Sequence, residues 1–527
     1  PPSYGYPQPS PQPAYGYPAP PQPQSPASYG YPAQQPSYGY PSPPTAPMQA
    51  QAASGDNGLK AQIAIVASAL VAMALIIGGG VWYSNSKSPQ NEAKKDDKPS
   101  TAPATGGGAG GGAGVEKAPS DPASKVLFEL PTPPLAKGES LQTDGSWITD
   151  KVFAKTGSSE VNGYDLDKGT KLWTAKLPGP VCGASRWKSA DGTRTAILFR
   201  PAVPTKAAYQ QCSQVGALDL ATGKLLWTKT AADGDYALSF DAVTVSGNTV
   251  AASGTSGGAA FDLATGKALW APKASDTCHD RGYGGGPKLV AVRKCGDYDN
   301  PTLSVQTLDP VTGKVLSEYK LATGIEYASI VSTDPLVVGA DVGDSAGDGS
   351  SLSDLFSIDG KTGALRARIS VPGDEYGAEC EISQVDGCSG VIAGGDRLYI
   401  QTEDGSGSAK QIVAFDVVTG KQTGQRADGG EDTDLYPIRM DGTNLLVYKE
   451  ASYDKGGAVV SIDGKTFKET TLMRNPDTED IASAESRMSP GSLSEILYAQ
   501  GHLFLSQTFV STSDRDRKLA IAYGTGS

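Results

Sequence analysis

The sequence predicts an all-β protein: a β-propeller of eight blades, with seven as the alternative, preceded by a single transmembrane helix and a disordered Pro/Tyr-rich tail. Each blade is expected to be a four-stranded antiparallel sheet. Three observations lead to this prediction: a ten-residue string recurs about every fifty residues, alternating apolar runs flank each copy, and an apolar segment precedes all of them. Such a period, with one turn signal per unit, is typical of propellers.

The clearest copies of the string are LDLATGKLLW at 218–227, FDLATGKALW at 261–270 and YDLDKGTKLW at 164–173. Weaker copies begin at Asp309, Asp359, Asp416 and Asp463. The seven aspartates, counted from Asp165, are 54, 43, 47, 50, 57 and 47 residues apart. One Thr-Gly-Lys carries no information, but seven at one period predict repeated small sheets.

Each copy is expected to be a hairpin. Gly223 is placed where a type I turn is closed by a left-handed residue, and the Asp219 carboxylate can accept backbone N–H groups of that turn. Alternation puts Leu218 and Leu220 on one face of a strand. The Trp after the turn can cover the next sheet with its apolar ring. The predicted docking residues are Trp173, Trp227 and Trp270.

The string at 217–227 resembles the tryptophan-docking repeat of the PQQ-like (quinoprotein-type) β-propellers, a superfamily with both enzymes and non-enzymatic scaffolds. The resemblance covers roughly residues 125–527. It implies docking between blades through the three tryptophans, while the four later copies lack the Trp. In the quinone-dependent dehydrogenases of the superfamily, the resemblance implies a quinone on a funnel Trp, a calcium, an Asp base and a disulfide of adjacent cysteines. None of those residues can be carried over to this sequence, and no adjacent cysteine pair occurs, so we expect no cofactor.

The repeat spacing also predicts how the ring closes. Residues 125–527, at about fifty residues per repeat, correspond to about eight units. Strand-like runs follow the seventh turn without a final Gly-Lys strand, and residues 125–130 resemble an orphaned outer strand. We expect that N-terminal strand to complete the last blade and remove two exposed edges.

All six cysteines lie within the predicted propeller. Position favours three local pairs, each inside one repeat: Cys182 with Cys212, Cys278 with Cys295, and Cys380 with Cys388. Buried free thiols are the alternative. Disulfides would indicate maturation in an oxidising compartment.

The chain before the propeller divides into three segments. Residues 1–53 are a disordered Pro/Gln/Tyr-rich tail, because their composition cannot bury a core. Residues 54–83 form a transmembrane signal anchor, whose uncharged stretch is long enough to cross a bilayer. Residues 84–124 are a flexible Gly/Lys/Asp linker. The tail is a spacer or a docking segment for Pro-binding grooves.

The orientation of the anchor is contradictory from sequence. Four lysines follow the apolar segment within residues 84–98 and only Lys60 precedes it, which taken alone places the propeller in the cytoplasm. The cysteine grouping favours a propeller outside the cell. We therefore predict a single-pass protein of the cell membrane, with a cytoplasmic tail and an extracytoplasmic propeller.

Charge excludes one class of partner. The formal net charge is −12: residues 1–120 carry a net charge of +1 and the remainder carries −13. An acidic body repels phosphate backbones, so no nucleic acid is expected.

Three groups of residues resemble chemical sites but lack the setting that the chemistry requires. Ser345 lies in a Gly-x-Ser-x-Gly string with His502 following, but without the strand–turn–helix setting that the nucleophile elbow requires. Aspartates at 341, 344, 348 and 354, and at 297 and 299, lack the spacing of a calcium loop, so no metal is predicted. Cys278 and His279 are neighbours on a strand and point to opposite faces.

These observations predict a non-enzymatic module. The expected function is a membrane-anchored, extracytoplasmic binding, scaffold or sensor propeller for an envelope protein or a ligand. The alternative is a PQQ-dependent dehydrogenase-like enzyme.

Overall fold

The computed structural model describes residues 115–526 with short gaps. The gaps are 206–207, 234–235, 274–275, 297–300, 344, 347–351, 382–383, 404–408, 431–432, 453, 489–493 and 513–516. The predicted tail, the predicted anchor and most of the predicted linker lie outside the described residues. Within residues 115–526, apart from those gaps, no helix is long and apolar enough to cross a bilayer.

Eight four-stranded antiparallel sheets follow one another along the chain. Two strands precede the blades in the chain: β1 (Ser124–Pro131) and β2 (Ser140–Gln142). Blade 1 comprises β3 (Ser146–Ile148), β4 (Val152–Thr156), β5 (Glu160–Asp165) and β6 (Lys171–Lys176), and blade 2 comprises β7 (Val181–Ala184), β8 (Arg194–Phe199), β9 (Gln214–Asp219) and β10 (Leu225–Thr230). The short strands β11 (Ala232–Asp233) and β12 (Tyr236–Ala237) follow blade 2. Blade 3 comprises β13 (Ala242–Ser246), β14 (Thr249–Gly254), β15 (Gly257–Asp262) and β16 (Ala268–Trp270), and blade 4 comprises β17 (Cys278–Gly284), β18 (Leu289–Cys295), β19 (Thr302–Leu308) and β20 (Val315–Lys320).

Blades 5 to 8 repeat the pattern. Blade 5 comprises β21 (Ser329–Thr333), β22 (Leu336–Ala340), β23 (Asp354–Ile358) and β24 (Leu365–Ser370), and the short strands β25 (Glu379–Cys380) and β26 (Cys388–Ser389) follow it. Blade 6 comprises β27 (Val391–Gly394), β28 (Arg397–Gln401), β29 (Ile412–Asp416) and β30 (Gln422–Ala427), and blade 7 comprises β31 (Leu435–Asp441), β32 (Asn444–Lys449), β33 (Ala458–Ile462) and β34 (Glu469–Arg474), followed by helix α1 (Glu479–Ser486). The last strands are β35 (Ser494–Ala499), β36 (His502–Gln507) and β38 (Lys518–Thr525) of blade 8, with the short β37 (Phe509–Ser511) between β36 and β38.

The ring closes through the N-terminal strand, as the sequence predicted. Blade 8 has the strand order β35-β36-β38-β1, so β1 is the outermost strand of the last blade. Its register joins Ser124 to Thr525 and Leu130 to Ala520. The short β2 pairs with β37 and adds a second contact between the two ends of the domain. The eight-bladed prediction is confirmed, and the seven-bladed alternative is wrong.

The recurring string forms the turn between the third and fourth strands of a blade. In blade 2, one oxygen of Asp219 accepts the N–H groups of Ala221 and Thr222 at 3.1 and 2.9 Å. The N–H of Gly223 donates to the Asp219 carbonyl at 2.8 Å, and its φ of 71° is one that L side chains rarely adopt. In blade 7, Phe467 occupies the same turn position with a φ of 58°.

The three tryptophans lie at equivalent positions and pack on the turn glycine of the next blade. A Cβ built on Gly223 would lie 2.3 Å from the Trp173 ring, and one on Gly266 would lie 2.8 Å from Trp227. Trp270 has the same relation to the turn of blade 4. Trp227 also donates its indole N–H to a main-chain carbonyl of the next blade. The turn glycines therefore give the space into which the rings fit.

Apolar side chains of neighbouring blades form the core. At the seam of blades 8 and 1, the rings of Phe153 and Phe504 stack with centroids 4.1 Å apart, and both are fully buried. Helix α1 covers blade 7 and inserts Glu485, which is 0% exposed. Its carboxylate accepts hydrogen bonds from Tyr448, Asn475 and the N–H of Gly457. The buried carboxylate is thus satisfied by hydrogen bonds.

The propeller has two unlike faces. The turn face is the face at which the first strand of each blade ends and at which the Asp-containing turns lie. Connections from the first to the second strand are short there, for example residues 247–248, 442–443 and 500–501. On the loop face, first strands begin and long connections follow the second strands, as at 200–213, 341–353 and 402–411. Loops of this kind are the usual carriers of recognition.

Three disulfides are present, and they are the pairs that the sequence predicted. Cys182 joins Cys212, Cys278 joins Cys295, and Cys380 joins Cys388. The first two tie the start of a first strand to residues at or beyond the end of the second strand, at the loop face. The third closes the β25–β26 hairpin in the connection between blades 5 and 6, also on the loop-face side.

Candidate functional site: the central channel

A cavity of about 980 Å³ runs along the axis of the ring. All eight blades contribute to its wall. The residues include Asp144–Ser146 of blade 1, Ala184–Trp187 of blade 2, Arg281 of blade 4, Tyr436–Ile438 of blade 7 and Ser494–Leu497 of blade 8. A volume of this order suits a small ligand.

One loop enters this channel, and we call it the plug (Glu379–Ser389). The Cys380–Cys388 disulfide fixes its base. Beyond the base, Val385 is 5% exposed and packs with the apolar core of blades 4 and 5. A Cβ on Gly282 of blade 4 would lie 2.0 Å from the Val385 side chain, so a glycine is needed beside the plug.

Polar contacts hold the plug to several blades. Arg186 of blade 2 donates to the carbonyls of Asp386 and Cys388 at 2.8 and 3.4 Å. Thr244 of blade 3 donates its hydroxyl to the Asp386 carboxylate at 3.0 Å. The N–H of Ile330 in blade 5 donates to the Val385 carbonyl. The plug therefore lies against blades 2 to 5.

At the loop-face mouth, two carboxylates of adjacent blades share one ammonium group. Glu495 at the start of β35 accepts hydrogen bonds from Lys155 at 2.9 Å, from the Ser146 hydroxyl at 2.6 Å and from the Gly145 N–H at 2.9 Å. Desolvation raises the pKa of Glu495, but Lys155 and these donors together hold it below its ordinary value. Asp144, directly before β3, is the second carboxylate, and its Oδ2 atom is buried with no hydrogen-bond partner among the described residues.

The electrostatic state of Asp144 differs from that of Glu495. Burial raises the pKa of Asp144 to about 6, the Glu495 carboxylate adds to the rise, and Glu381 of the plug adds further to it. A hydrogen bond from Gln142 and the charge of Lys155 oppose the rise. Burial also raises the pKa of Glu381, against the charge of Arg186. The mouth is therefore short of positive charge.

A further buried polar atom on the wall, the indole Nε1 of Trp187, has no partner among the described residues. Gln401, which ends β28 of blade 6 and is only 2% exposed, forms a side-chain hydrogen bond with Tyr436 that opposes the burial-driven rise in the pKa of Tyr436. Buried polar groups in native proteins are almost always hydrogen-bonded, so Oδ2 of Asp144 and Nε1 of Trp187 indicate a place where a ligand or solvent completes the bonding.

The chain enters the propeller on the opposite, turn face. Arg439, 6% exposed at its side chain, bonds Glu116 at 2.8 Å and Asp441 at 3.2 Å. The Glu116 N–H donates to Asp441, and the Gln500 N–H donates to Glu116. Residue 116 is thereby fixed beside the first-to-second strand turns of blades 7 and 8. The loop face and the channel mouth lie on the other side.

The structure does not bring together the residues of the rejected nucleophile motif. Ser345 lies in the β22–β23 connection of blade 5, where its hydroxyl donates to the Val342 carbonyl at 2.9 Å. His502 begins β36 in blade 8, and its ring contacts Asp167 at 3.0 Å and the Gln500 carbonyl at 2.9 Å. Cys278, the neighbour of His279, is in a disulfide and has no free thiol.

The aspartate groups form no metal site in the part of the chain that the structure describes. There, no three His, Cys, Asp or Glu side chains lie close enough to hold an ion. Asp341 accepts the N–H groups of Ser345 and Ala346, and Asp354 is paired with Arg368 at 2.7 Å. The aspartates at 297, 299, 344 and 348 lie outside the described residues.

The sequence analysis missed the residues of the channel mouth. Asp144 and Glu495 are about 350 residues apart in the chain and meet only because blades 1 and 8 are neighbours in the closed ring. The available signal was positional: each residue lies within two residues of the start of a blade's first strand, the strand nearest the axis of a propeller. No local motif marks either residue.

An axial ring of eight four-stranded sheets, with the Asp–Gly turn and the docking tryptophans, defines a PQQ-like β-propeller. The family model described as outer membrane protein assembly factor BamB matches residues 137–279, 211–430 and 304–502. These matches cover more than half of the chain, so the protein belongs to this family. No curated protein sequence matches the chain.

Solved structures similar to this chain include proteins of several kinds. One is the dihydro-heme d1 dehydrogenase NirN, with 15% identity, a TM-score of 0.39, and coverage of 65% of this chain and 69% of that chain. Another is the hydrazine synthase of Kuenenia stuttgartiensis, with 13% identity, a TM-score of 0.35, and coverage of 65% and 98%. A third is Sqt1 of Saccharomyces cerevisiae, with 9% identity, a TM-score of 0.42, and coverage of 76% and 100%. These values carry no argument about activity.

Proposed function

We propose that the protein is a membrane-anchored, extracytoplasmic propeller that binds a protein or ligand of the cell envelope and does not catalyse a reaction. The observation that carries this proposal is the opposition of the two faces. The chain arrives at the turn face through Glu116, whereas the channel mouth, the long loops and the disulfides lie at the loop face. The loop face therefore offers a concave surface with long loops, where a partner or ligand can bind without meeting the segment that leads into the propeller.

The disulfides support the extracytoplasmic part of the proposal. Structural disulfides persist in oxidising compartments and are rare in the cytosol. The apolar, uncharged stretch within residues 59–83 supports the anchor. The binding role takes one of two forms: a scaffold that holds envelope proteins together, or a sensor that couples occupancy of the propeller to the tail.

The orientation is tested by labelling intact cells with a membrane-impermeant maleimide. Val311→Cys places a thiol at a turn position that is 65% exposed, on the turn face, whereas the native disulfides lie on the loop-face side. Ser10→Cys places one in the tail. We expect the first variant to be labelled in intact cells and the second only after permeabilisation. The reverse pattern would refute the orientation.

The binding role is tested by crosslinking in intact cells, followed by mass spectrometry of separately tagged tail and propeller. A partner crosslinked to the loop face supports the proposal. A quinone absorbance band in the purified full chain, together with dehydrogenase activity, would instead establish the enzyme alternative.

A further inference from the structure

We propose that the loop-face mouth of the channel binds a small molecule that carries an alkylammonium group, with the Asp144 carboxylate as its anchor. This inference deepens the proposed binding function and rests on it, because it names the chemical class of the ligand.

The charges at the mouth do not balance. The carboxylates of Glu495 and Glu381 both raise the pKa of Asp144. The ammonium of Lys155 lies 2.9 Å from Glu495, which takes its hydrogen bond. Asp144 is therefore left with two carboxylate neighbours and a share of one cation. A second ammonium at Asp144 would remove this imbalance.

The cavity as a whole is acidic. Among the described residues of its wall, seven side chains are acidic and three are basic, so the formal charge is −4. One of the bases, Arg186, already donates to two carbonyls of the plug. An acidic cavity with low-dielectric walls attracts cations and repels anions.

Two buried polar atoms of the wall lack hydrogen-bond partners among the described residues. The Oδ2 atom of Asp144 is an acceptor without a donor, as an ammonium group would supply. The Nε1 atom of Trp187 is a donor without an acceptor. A ligand that carries both an amine and an oxygen or nitrogen acceptor would satisfy both atoms.

Aromatic side chains on the wall can bind the apolar part of such a ligand. Trp187, Tyr327 and Tyr436 lie on the wall of the same cavity. Aromatic rings bind the methylene groups next to an amine and attract the cation through their faces. The combination of a carboxylate anchor with aromatic wall residues favours an aliphatic amine over an inorganic ion.

The test is calorimetric titration of spermidine into the full chain, reconstituted in nanodiscs of zwitterionic lipid. At pH 7.5 we expect saturable binding, which Asp144→Asn weakens at least tenfold. Asp150→Asn is the matched control, because Asp150 is an exposed aspartate at the turn face, bonded to Gln500. This control should bind as the native chain does. Triacetylated spermidine, which keeps the carbon chain and lacks the charges, should not bind.

The pH dependence provides a second readout. Because the pKa of Asp144 is about 6, lowering the pH from 7.5 to 5 protonates most of it. The affinity for spermidine should then fall about tenfold in the native chain, while Asp144→Asn should show little change. Glu495, Glu381 and Lys155 also face Asp144, so a pH effect that persists in Asp144→Asn would assign it to them.

Three results would overturn the inference: no saturable heat with spermidine, unchanged affinity in Asp144→Asn, or equal binding of the triacetylated compound. Urea unfolding of Asp144→Asn separates lost binding from lost fold. If spermidine does not bind but loop-face crosslinks form, only this inference fails. If spermidine binds and no crosslinks form, the protein-binding form of the proposed function fails.

Discussion

Replacing Asp144 by Asn is expected to stabilise the protein at neutral pH. The carboxylate has an ordinary pKa of 3.8, and burial with the neighbouring Glu495 raises it to about 6 in the folded protein. A difference of about two units corresponds to about 3 kcal/mol at about 1.4 kcal/mol per unit. Asn keeps the shape of the side chain and has no charge to desolvate, so this penalty is removed.

The sign of the pH dependence follows from the direction of the shift. The folded state of the native protein holds the Asp144 proton more tightly than the unfolded state does. Its unfolding free energy therefore decreases, through this group, as the pH rises from about 4 to above 6. Asp144→Asn should match the native protein near pH 3.5 and exceed it by up to about 3 kcal/mol at pH 8.

Urea unfolding of the full chain in detergent, followed by tryptophan fluorescence, measures this difference. Asp150→Asn serves again as the control, and its free energy of unfolding should follow that of the native protein at both pH values. Equal stability of Asp144→Asn and the native chain at pH 8 would refute the argument. So would a difference that is the same at pH 3.5 and pH 8, since a charge effect must disappear on protonation.

Three further predictions concern the ring itself. Gly223→Ala should lower the free energy of unfolding by more than Gly247→Ala does: both glycines have positive φ, but the new Cβ meets the Trp173 ring at 2.3 Å only in the first. Equal losses, measured by urea unfolding, would contradict this. Arg439→Met should cost about 3–5 kcal/mol, because it leaves the Glu116 carboxylate and its neighbour buried without their cation; adding Glu116→Gln should recover part of the loss, and no recovery would show that the pair does not act as one. Deleting β1 should lower the melting temperature and broaden the transition, because blade 8 loses its outer strand; an unchanged melting curve in calorimetry would refute the role of β1 in closure.

Seven of the blades could be predicted because each contains its own local signal, a turn of four or five consecutive residues that begins with an aspartate. The eighth blade has no such turn, and its prediction came from the length of the chain and from the unpaired strand at residues 125–130. The pairing of the cysteines was also local: Cys278 and Cys295 lie opposite each other on adjacent strands of one sheet. Counting the turns and pairing the cysteines required no knowledge of how distant parts of the chain meet.

The channel could not be predicted for the opposite reason. The plug is identified by its contacts with Arg186 and Thr244, which come from blades 2 and 3, whereas the plug itself follows blade 5. The sequence around Cys380 and Cys388 shows only a short loop between cysteines. That this loop turns inward depends on tertiary packing of Val385 against blades 4 and 5. No pattern within the loop contains that information.

The packing between the later blades also differs from the repeat. Where blades 1 to 3 have a tryptophan after the turn, the corresponding residues of blades 4 to 7 are Ser317, Ala367, Gly424 and Thr471. Ser317 donates its hydroxyl to the Gly360 carbonyl of blade 5 at 2.8 Å. Ala367 lies 2.9 Å from a Cβ built on Gly420, the turn glycine of blade 6. Smaller side chains thus fill the space between neighbouring blades that a Trp ring fills in blades 1 to 3. The absence of the Trp from the sequence did not predict this contact.

The pairing of Ser124 with Thr525 has a consequence for how the protein matures. The ribosome makes β1 before the other strands of the propeller and β38 after them. The ring can therefore close only when synthesis has passed residue 525. Until then the outer edge of β36 and the free side of β1 are both open to other chains. From the synthesis of β1 to that of β38, a newly made molecule is therefore exposed to mispairing, and a premature stop before β38 leaves that opening permanent.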